Sequence, residues 1–232
     1  MQRRVCHLLA CAAVLASVQI PTARAAADPF EAVNRRIYGF NRVVQVRVLG
    51  PLAERYLSIT PPQVRRGVVN VLANLREPIT AVSSLAAGHF GLAANAVTRF
   101  SINSTLGLAG VKDRAVKMGY PRHAFSLADA ACSWGVPSGP FIMLPLLGPS
   151  TVRDAGALAA QSATLDQTLG ADAYLAWSGS DLFVDYAQLH RDLKRLDAAS
   201  LDPYAAYRSA YLQRRATVCP VDRPADPAKD AD

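Results

Sequence analysis

The sequence predicts a mainly α-helical single domain. Three observations carry that expectation. Apolar residues recur near the helical period in several segments, and many of these open on a capping residue with a proline beside it. Strand signals are few. Continuous helix is excluded only across Pro121 to Pro149, where Pro121, Pro137, Pro140, Pro145 and Pro149 alternate with Gly135, Gly139 and Gly148. With 232 residues, 51% of them hydrophobic and 19% charged, the chain can build a core and is not disordered as a whole. Beyond the N-terminus no apolar run reaches about 18 residues, which excludes a polytopic membrane protein. No internal repeat is visible.

The elements follow in chain order. Residues 1–25 read as a secretory signal: Arg3 and Arg4 are the positive start, Leu8 to Ile20 the apolar stretch, and Ala23-Arg24-Ala25 the small-residue cleavage pattern. A transmembrane anchor is the alternative, but the stretch is short and lacks a positive flank after it. Leu8-Leu9-Ala10-Cys11 offers a competing lipoprotein site, with only a short apolar run before it. Removal of residues 1–25 lowers the net charge from +7 to about +4.

Asp28-Pro29-Phe30-Glu31 reads as a helix start, with Asp28 as cap, Pro29 at the first position and Glu31 completing a capping box. Val33, Ile37, Phe40, Val44 and Val48 recur near the helical period, and Gly50-Pro51 ends that helix. Thr60-Pro61-Pro62 opens a helix over 63–75, with Val64, Val68, Val71, Leu72 and Leu75 on one side. Pro78 kinks or restarts it. Residues 92–100 are helical. The run Phe141 to Leu144, between breakers, is a hairpin strand or a buried extended segment. A helix capped by Ser150 or Thr151 follows.

From Asp181, a stripe of Leu182, Tyr186, Leu189, Leu193 and Leu196 opposes Arg191, Asp192, Lys194 and Arg195. Asp202-Pro203 starts the last helix, whose Tyr204, Tyr207 and Tyr211 share a face suited to core packing with polar tips at the surface. Residues 26–218 form the domain, and 219–232, rich in Pro and Asp, read as a disordered tail.

Catalytic and cofactor signatures are missing. There is no H-E-x-x-H, no G-x-S-x-G and no phosphate-cradling loop. His123 can serve as a general base or lie in a loop, and His190 falls on the charged face of its helix. Cys132 and Cys219, left after removal of the signal, either form a disulfide or stay separate, and they are no zinc site. No cofactor or metal is expected. Basic residues are scattered apart from Arg35-Arg36, Arg65-Arg66 and Arg214-Arg215, which argues against nucleic acid.

Ordered fragments then add up to a resemblance. They are Asp28 to Arg35, Tyr38-Gly39-Phe40-Asn41, Asn70 to Pro78, and Thr98 to Gly107. Next come Trp134-Gly135-Val136, Gly139-Pro140-Phe141, Leu144-Pro145, Gly148-Pro149-Ser150 and Arg153-Asp154, then Asp202-Pro203-Tyr204 with Tyr211 and Arg214. Over residues 28–215 the chain resembles the VacJ/MlaA family of Gram-negative outer-membrane proteins.

The resemblance implies a ring of amphipathic helices lying in the inner leaflet of the outer membrane, with an irregular Gly/Pro-rich loop or short hairpin. An amphipathic channel through the ring would carry mislocalised phospholipid away from the outer leaflet. A soluble periplasmic carrier, MlaC in that system, takes the lipid, and porins hold the ring. Trp134, Gly135, Gly139, Pro140, Phe141, Leu144, Pro145, Arg153 and Asp154 match the channel-side loop. Asn34, Asn41, Asn70, Asn74, Glu77, Arg99 and Asn103 are family-matching polar positions that either serve the channel or satisfy buried backbone groups.

The chain departs from the pattern in three places. The lipoprotein cysteine is poor, the usual Phe-Gly step is replaced by Phe125-Ser126 or Leu127-Ala128, and Cys132 has no counterpart. Two other readings stay open: a porin-associated structural module without lipid traffic, and a soluble periplasmic hydrolase that uses His123.

Overall fold

Capping residues and prolines set most helix boundaries in the computed structural model, which describes residues 28–222. The secretory signal and the Cys11 site lie outside the described residues, as do residues 223–232 of the expected tail. Helix α1 (Glu31–Val44) runs through one π turn (Gln45–Leu49) into α2 (Gly50–Ile59). Then come α3 (Pro62–Ala86), α4 (Phe90–Thr105) and the short α5 (Leu127–Ser133). Strands β1 (Phe141–Leu144) and β2 (Gly148–Thr151) pair antiparallel, Phe141 opposite Thr151 and Leu144 opposite Gly148. Helices α6 (Val152–Leu169), α7 (Ala171–Ala199) and α8 (Pro203–Val218) complete the order.

The structure moves several expected boundaries. Helix α1 starts at Glu31, not at Pro29, although Asp28 accepts from the Phe30 N–H at 3.2 Å as a cap would. The Asp28 carboxylate turns inward, accepting from the Asn34 amide at 2.9 Å and from the Tyr204 hydroxyl. Gly50-Pro51 does not end the helix either. The wider π turn before it relieves the clash that a proline makes with the preceding turn, so α1 passes into α2 unbroken. Pro78 sits exposed inside a continuous 25-residue α3. The caps of α6 and α8 form as read: Thr151 accepts from the Asp154 N–H at 3.3 Å and Asp202 from the Ala205 N–H at 3.2 Å. The Phe141 run is the hairpin strand. His190 is largely covered, because α2 packs on α7 and brings Glu54 to 3.3 Å, while Tyr186, one turn earlier on α7, places its hydroxyl at 3.0 Å.

Large apolar side chains are sparse inside. Phe141, Met143 and Tyr204 form the buried core cluster, with Ile37, Tyr38, Tyr211 and Leu212 against it. Elsewhere helices meet through Ala53, Ala81, Ala93, Ala96, Ser83 and Ser84. Part of the apolar stripe of α1 points outward: Val33 is 54% and Phe40 52% exposed, Ile37 and Val44 are half-buried, and the buried positions of the helix are Asn34 and Asn41. Val46, Leu52, Ile59, Val64, Val82, Phe90 and Val97 are exposed too. An apolar exterior this extensive marks a surface that meets lipid or protein rather than water. No described helix is long and apolar enough to cross a membrane.

A disulfide joins Cys132, in α5, to Cys219, just past α8, with the Cα atoms 6.0 Å apart. It corrects the tail reading for residues 219–222. Pro220–Asp222 is a short 3-10 turn, and Asp222 pairs with the buried Arg153 at 2.7 Å. The disulfide and this ion pair fix what composition alone assigns to disorder.

Candidate functional site

The helices do not close onto one another. Helices α3, α6, α7 and α8, the start of α5 with the segment before it, and the hairpin line an open cavity of about 980 Å³. One part of its wall is apolar, with Ile79, Leu144, Leu147, Leu158, Leu165, Trp177 and Leu182. Another part is charged, with Arg76, Glu77, Arg122, Asp129, Asp154, Asp181, Arg214 and Arg215. The cavity is therefore amphipathic and large enough for a lipid-sized guest.

Most of the charges are matched in pairs across element boundaries. Arg76 of α3 reaches Asp181 at 2.5 Å and Asp185 at 2.6 Å, both on α7. Arg215 of α8 reaches Asp129 of α5 at 2.6 Å and Asp154 of α6 at 3.0 Å. The Tyr211 hydroxyl donates to Asp154 at 2.5 Å. Burial raises the Asp181 pKa, an effect that Arg76 only partly offsets. Burial also works to raise that of Asp129, but the Ser126 N–H and Arg215 outweigh it and hold the carboxyl below its usual range. Burial, with the bond to Asp154, pushes the Tyr211 phenol up. Paired, partly desolvated charges of this kind can exchange partners with a zwitterionic or anionic headgroup without leaving a bare ion.

Of the loop residues that the sequence singles out, Leu144 and Asp154 line the cavity. The others lie elsewhere, because the hairpin buries one face and shows the cavity only its tip and second strand. Phe141 is buried among Tyr204 and Tyr211. Trp134 is exposed, and its indole donates to the Ala86 carbonyl at 3.1 Å. Gly135, Gly139, Pro140 and Pro145 are not in the lining. Arg153 is buried behind the wall, bonded to Asp154 at 2.9 Å, Asp222 at 2.7 Å and the Val136 carbonyl at 3.1 Å.

Asn34, Asn41, Asn70, Arg99 and Asn103 bond backbone groups, whereas Asn74 and Glu77 bond side chains and Glu77 also reaches the cavity. Asn34 accepts from the Met143 N–H at 2.8 Å and donates to the Phe141 carbonyl at 3.2 Å. One helical face further on, Asn41 accepts from the Leu146 N–H at 2.7 Å and donates to the Leu144 carbonyl at 2.9 Å. Together they supply the free edge of β1 with the hydrogen bonds a third strand would give. Leu146 has φ +65°, a strained value for leucine, and Asn41 holds it there beside the cavity-lining Leu147.

The second group fixes the loop after α4. Arg99, fully buried, donates to Glu77 at 2.6 Å, Asp113 at 2.9 Å and the Tyr120 carbonyl at 2.6 Å. Asn103 accepts from the N–H groups of Arg114 and Ala115 at 2.8 and 3.0 Å. Asn70 bonds the Val111 carbonyl at 3.1 Å and Asn74 the Ser104 hydroxyl at 2.9 Å. These contacts place Arg122 and His123 at the cavity.

Sequence reading missed Arg76, Arg122, Asp129, Trp177, Asp181 and Arg215. The available signal was the face of α6 formed by Ala155, Leu158, Ala159, Ser162 and Leu165, all of which line the cavity. Small residues at helical spacing mark a face that leaves room. His123 lies in the lining without a hydrogen-bonded partner among the described residues. There the described residues also contain no group of three or more His, Cys, Asp or Glu that could hold a metal.

The comparisons with known proteins agree with one another. The MlaA lipoprotein family model matches residues 26–218. The intermembrane phospholipid transport system lipoprotein MlaA of Escherichia coli strain K12 is 31% identical over 202 residues, covering 81% of this chain and 76% of that protein. Its Shigella flexneri counterpart is 31% identical over 199 residues with the same coverage. An uncharacterised protein of Rickettsia felis is 30% identical over 204 residues. A solved structure described as the structural basis for maintenance of bacterial outer membrane lipid asymmetry superposes with a TM-score of 0.73 at 28% identity, covering 83% of this chain and 98% of that one. The helical architecture, the amphipathic cavity and these matches give one conclusion: the chain belongs to the MlaA lipoprotein family.

Proposed function

We propose that the cavity is a phospholipid channel. The protein takes mislocalised phospholipid from the outer leaflet of the outer membrane and passes it to a periplasmic carrier, so preserving lipid asymmetry. The names of its MlaA relatives and the superposition support the system. The observation that carries the mechanism is an inversion of the usual soluble-protein pattern: apolar side chains outside, paired charges around a central cavity.

Each half of that inversion meets one physical requirement. The outward Val33, Phe40, Val46 and Phe90 suit contact with acyl chains, so the ring sits in a leaflet without crossing the bilayer. Inside, Arg76, Arg122 and Arg215 with their carboxylates replace the water that a headgroup loses on leaving the surface. The apolar wall accommodates the acyl chains at the same time. A porin bound to the apolar exterior would retain the ring in place.

The test is made in intact cells. Loss of the gene should raise the amount of surface phospholipid open to added phospholipase, and the wild-type gene should restore it. An Ala155→Trp variant, made to normal levels, narrows the cavity from α6 and should not restore it. No rise on deletion would sink the transport reading and favour a porin-associated module without lipid traffic.

A further inference from the structure

A second cavity lies outside the channel. It has a volume of about 480 Å³ and sits between α2, the start of α3 and α7. It shares no lining residue with the channel. Its lining includes three guanidinium groups, Arg65 and Arg66 of α3 and Arg191 of α7. None of the three has a carboxylate within ion-pair distance among the described residues, whereas Arg35, Arg42, Arg76, Arg99, Arg153 and Arg215 all do.

The placement also runs against helix electrostatics. The N-terminal end of α3 carries a partial positive charge and free N–H groups, and carboxylates are the stabilising residues there. The first turn of α3 holds no acid, and two arginines follow in its second. Arg191 adds a third positive charge from a different helix. The Tyr56 hydroxyl, on a further lining residue, is buried without a hydrogen-bond partner. Convergent cations beside a positive helix end together favour an anion with several oxygens.

The rest of the cavity specifies what the anion is attached to. Leu57 and Val184 form its apolar side. Around it Ile59 is 61% exposed, Val64 53% and Leu189 53%, continuing the lipid-facing exterior. A free phosphate would leave that apolar surface unused. We infer that this cavity is a second lipid site, at the rim of the ring, holding the phosphate-bearing headgroup of an anionic lipid on Arg65, Arg66 and Arg191 with its first methylenes on Leu57 and Val184. It anchors the ring to anionic lipid independently of transport.

Full-length protein in non-ionic detergent is titrated with short-chain phosphatidylglycerol and, separately, with inorganic phosphate. Native mass spectrometry counts the ligands per chain. Wild type should take one lipid in the channel and one at the rim. The Arg65→Ala/Arg66→Ala/Arg191→Ala variant should lose the second, its affinity falling at least about tenfold. The triple lysine variant should keep the second within a few-fold, and added salt should weaken it. Circular dichroism checks the helices, and the single Arg191→Ala variant, at an exposed position, gives a graded loss without three simultaneous changes.

Four results would overturn the site. They are one lipid per chain in both wild type and triple variant, an unchanged second affinity, inorganic phosphate bound as tightly as lipid, and displacement of the second lipid by an acidic peptide at lower concentration than by phosphatidylglycerol. One lipid in both proteins leaves the channel reading standing. No lipid in either defeats both.

Discussion

Two halves of the molecule hold their polar interiors in different ways. In the α3–α4 half, the partners of the buried polar side chains lie close in sequence. Arg99 meets Glu77, Asp113 and Tyr120 at separations of 22, 14 and 21 residues, and Asn103 reaches Arg114 and Ala115 at 11 and 12. In the α1–hairpin–α8 half the partners are remote. Asn34 and Asn41 meet the hairpin at 103 to 109 residues, Tyr204 reaches Asp28 at 176, and the disulfide closes 87. The first half is a local clamp that can form as soon as its own segment folds. The second forms only when the chain ends come together, and it contributes the hairpin and α8 to the cavity wall.

The sharpest way to break this contrast is Arg99→Met. It leaves the buried Glu77 with only Arg122, at 4.0 Å, and stability should fall by about 3–5 kcal/mol in denaturant unfolding. Removing both charges in Arg99→Met/Glu77→Met should recover much of that loss. A loss from Arg99→Met below about 1 kcal/mol would show that water reaches the clamp.

Next is the disulfide. Cys132→Ser/Cys219→Ser should cost about 2–4 kcal/mol. Hydrogen exchange should quicken in α8 and leave α3 and α4 unchanged. Equal quickening in both halves would deny their independence.

Asn34→Ala strands the Met143 N–H in the core and should cost about 1–3 kcal/mol, read as a lower midpoint of thermal unfolding. Gly110→Ala tests the other half and should cost about 1–2 kcal/mol. At Gly110 φ is +92°, and a Cβ would lie 2.8 Å from that of Asn74.

The smallest effect is on acid stability. In Asp113, burial opposes the charge, but Arg99, the Val116 N–H and Asn103 together hold the pKa down, and Asp129 is lowered as well. Their contribution is therefore fully present above the unfolded carboxylate value of about 3.9 and is lost as pH falls through the lower folded values. Thermal midpoints measured from about pH 6 to about pH 3 should drop, and Arg215→Met should flatten the part due to Asp129.

Much of the helical frame was legible. Thr151 and Asp202 cap as their types and positions require, and the Pro/Gly-rich stretch holds the hairpin. The polar positions of α1, α3 and α4 were legible as important, and the reading that they satisfy backbone groups describes Asn34, Asn41 and Asn103. The cavity lining was not legible. Arg76 and Asp181 are ordinary helical charges until α3 and α7 face each other, and Phe141 looks as suited to a channel as to a core.

The sequence by itself determined most of the helices, the starts of α3, α6 and α8, the break at the hairpin and the family, but not α5 or the start of α7. These depend on period, caps and proline geometry, which act over a few residues. Only the tertiary structure decided which face of each helix is inside. Periodicity reports that α1 is amphipathic but does not say which side meets solvent, lipid or core. That choice was made by Asn34 and Asn41, whose amides find the edge of β1 more than 100 residues away. Pairing those backbone groups turns Val33 and Phe40 outward.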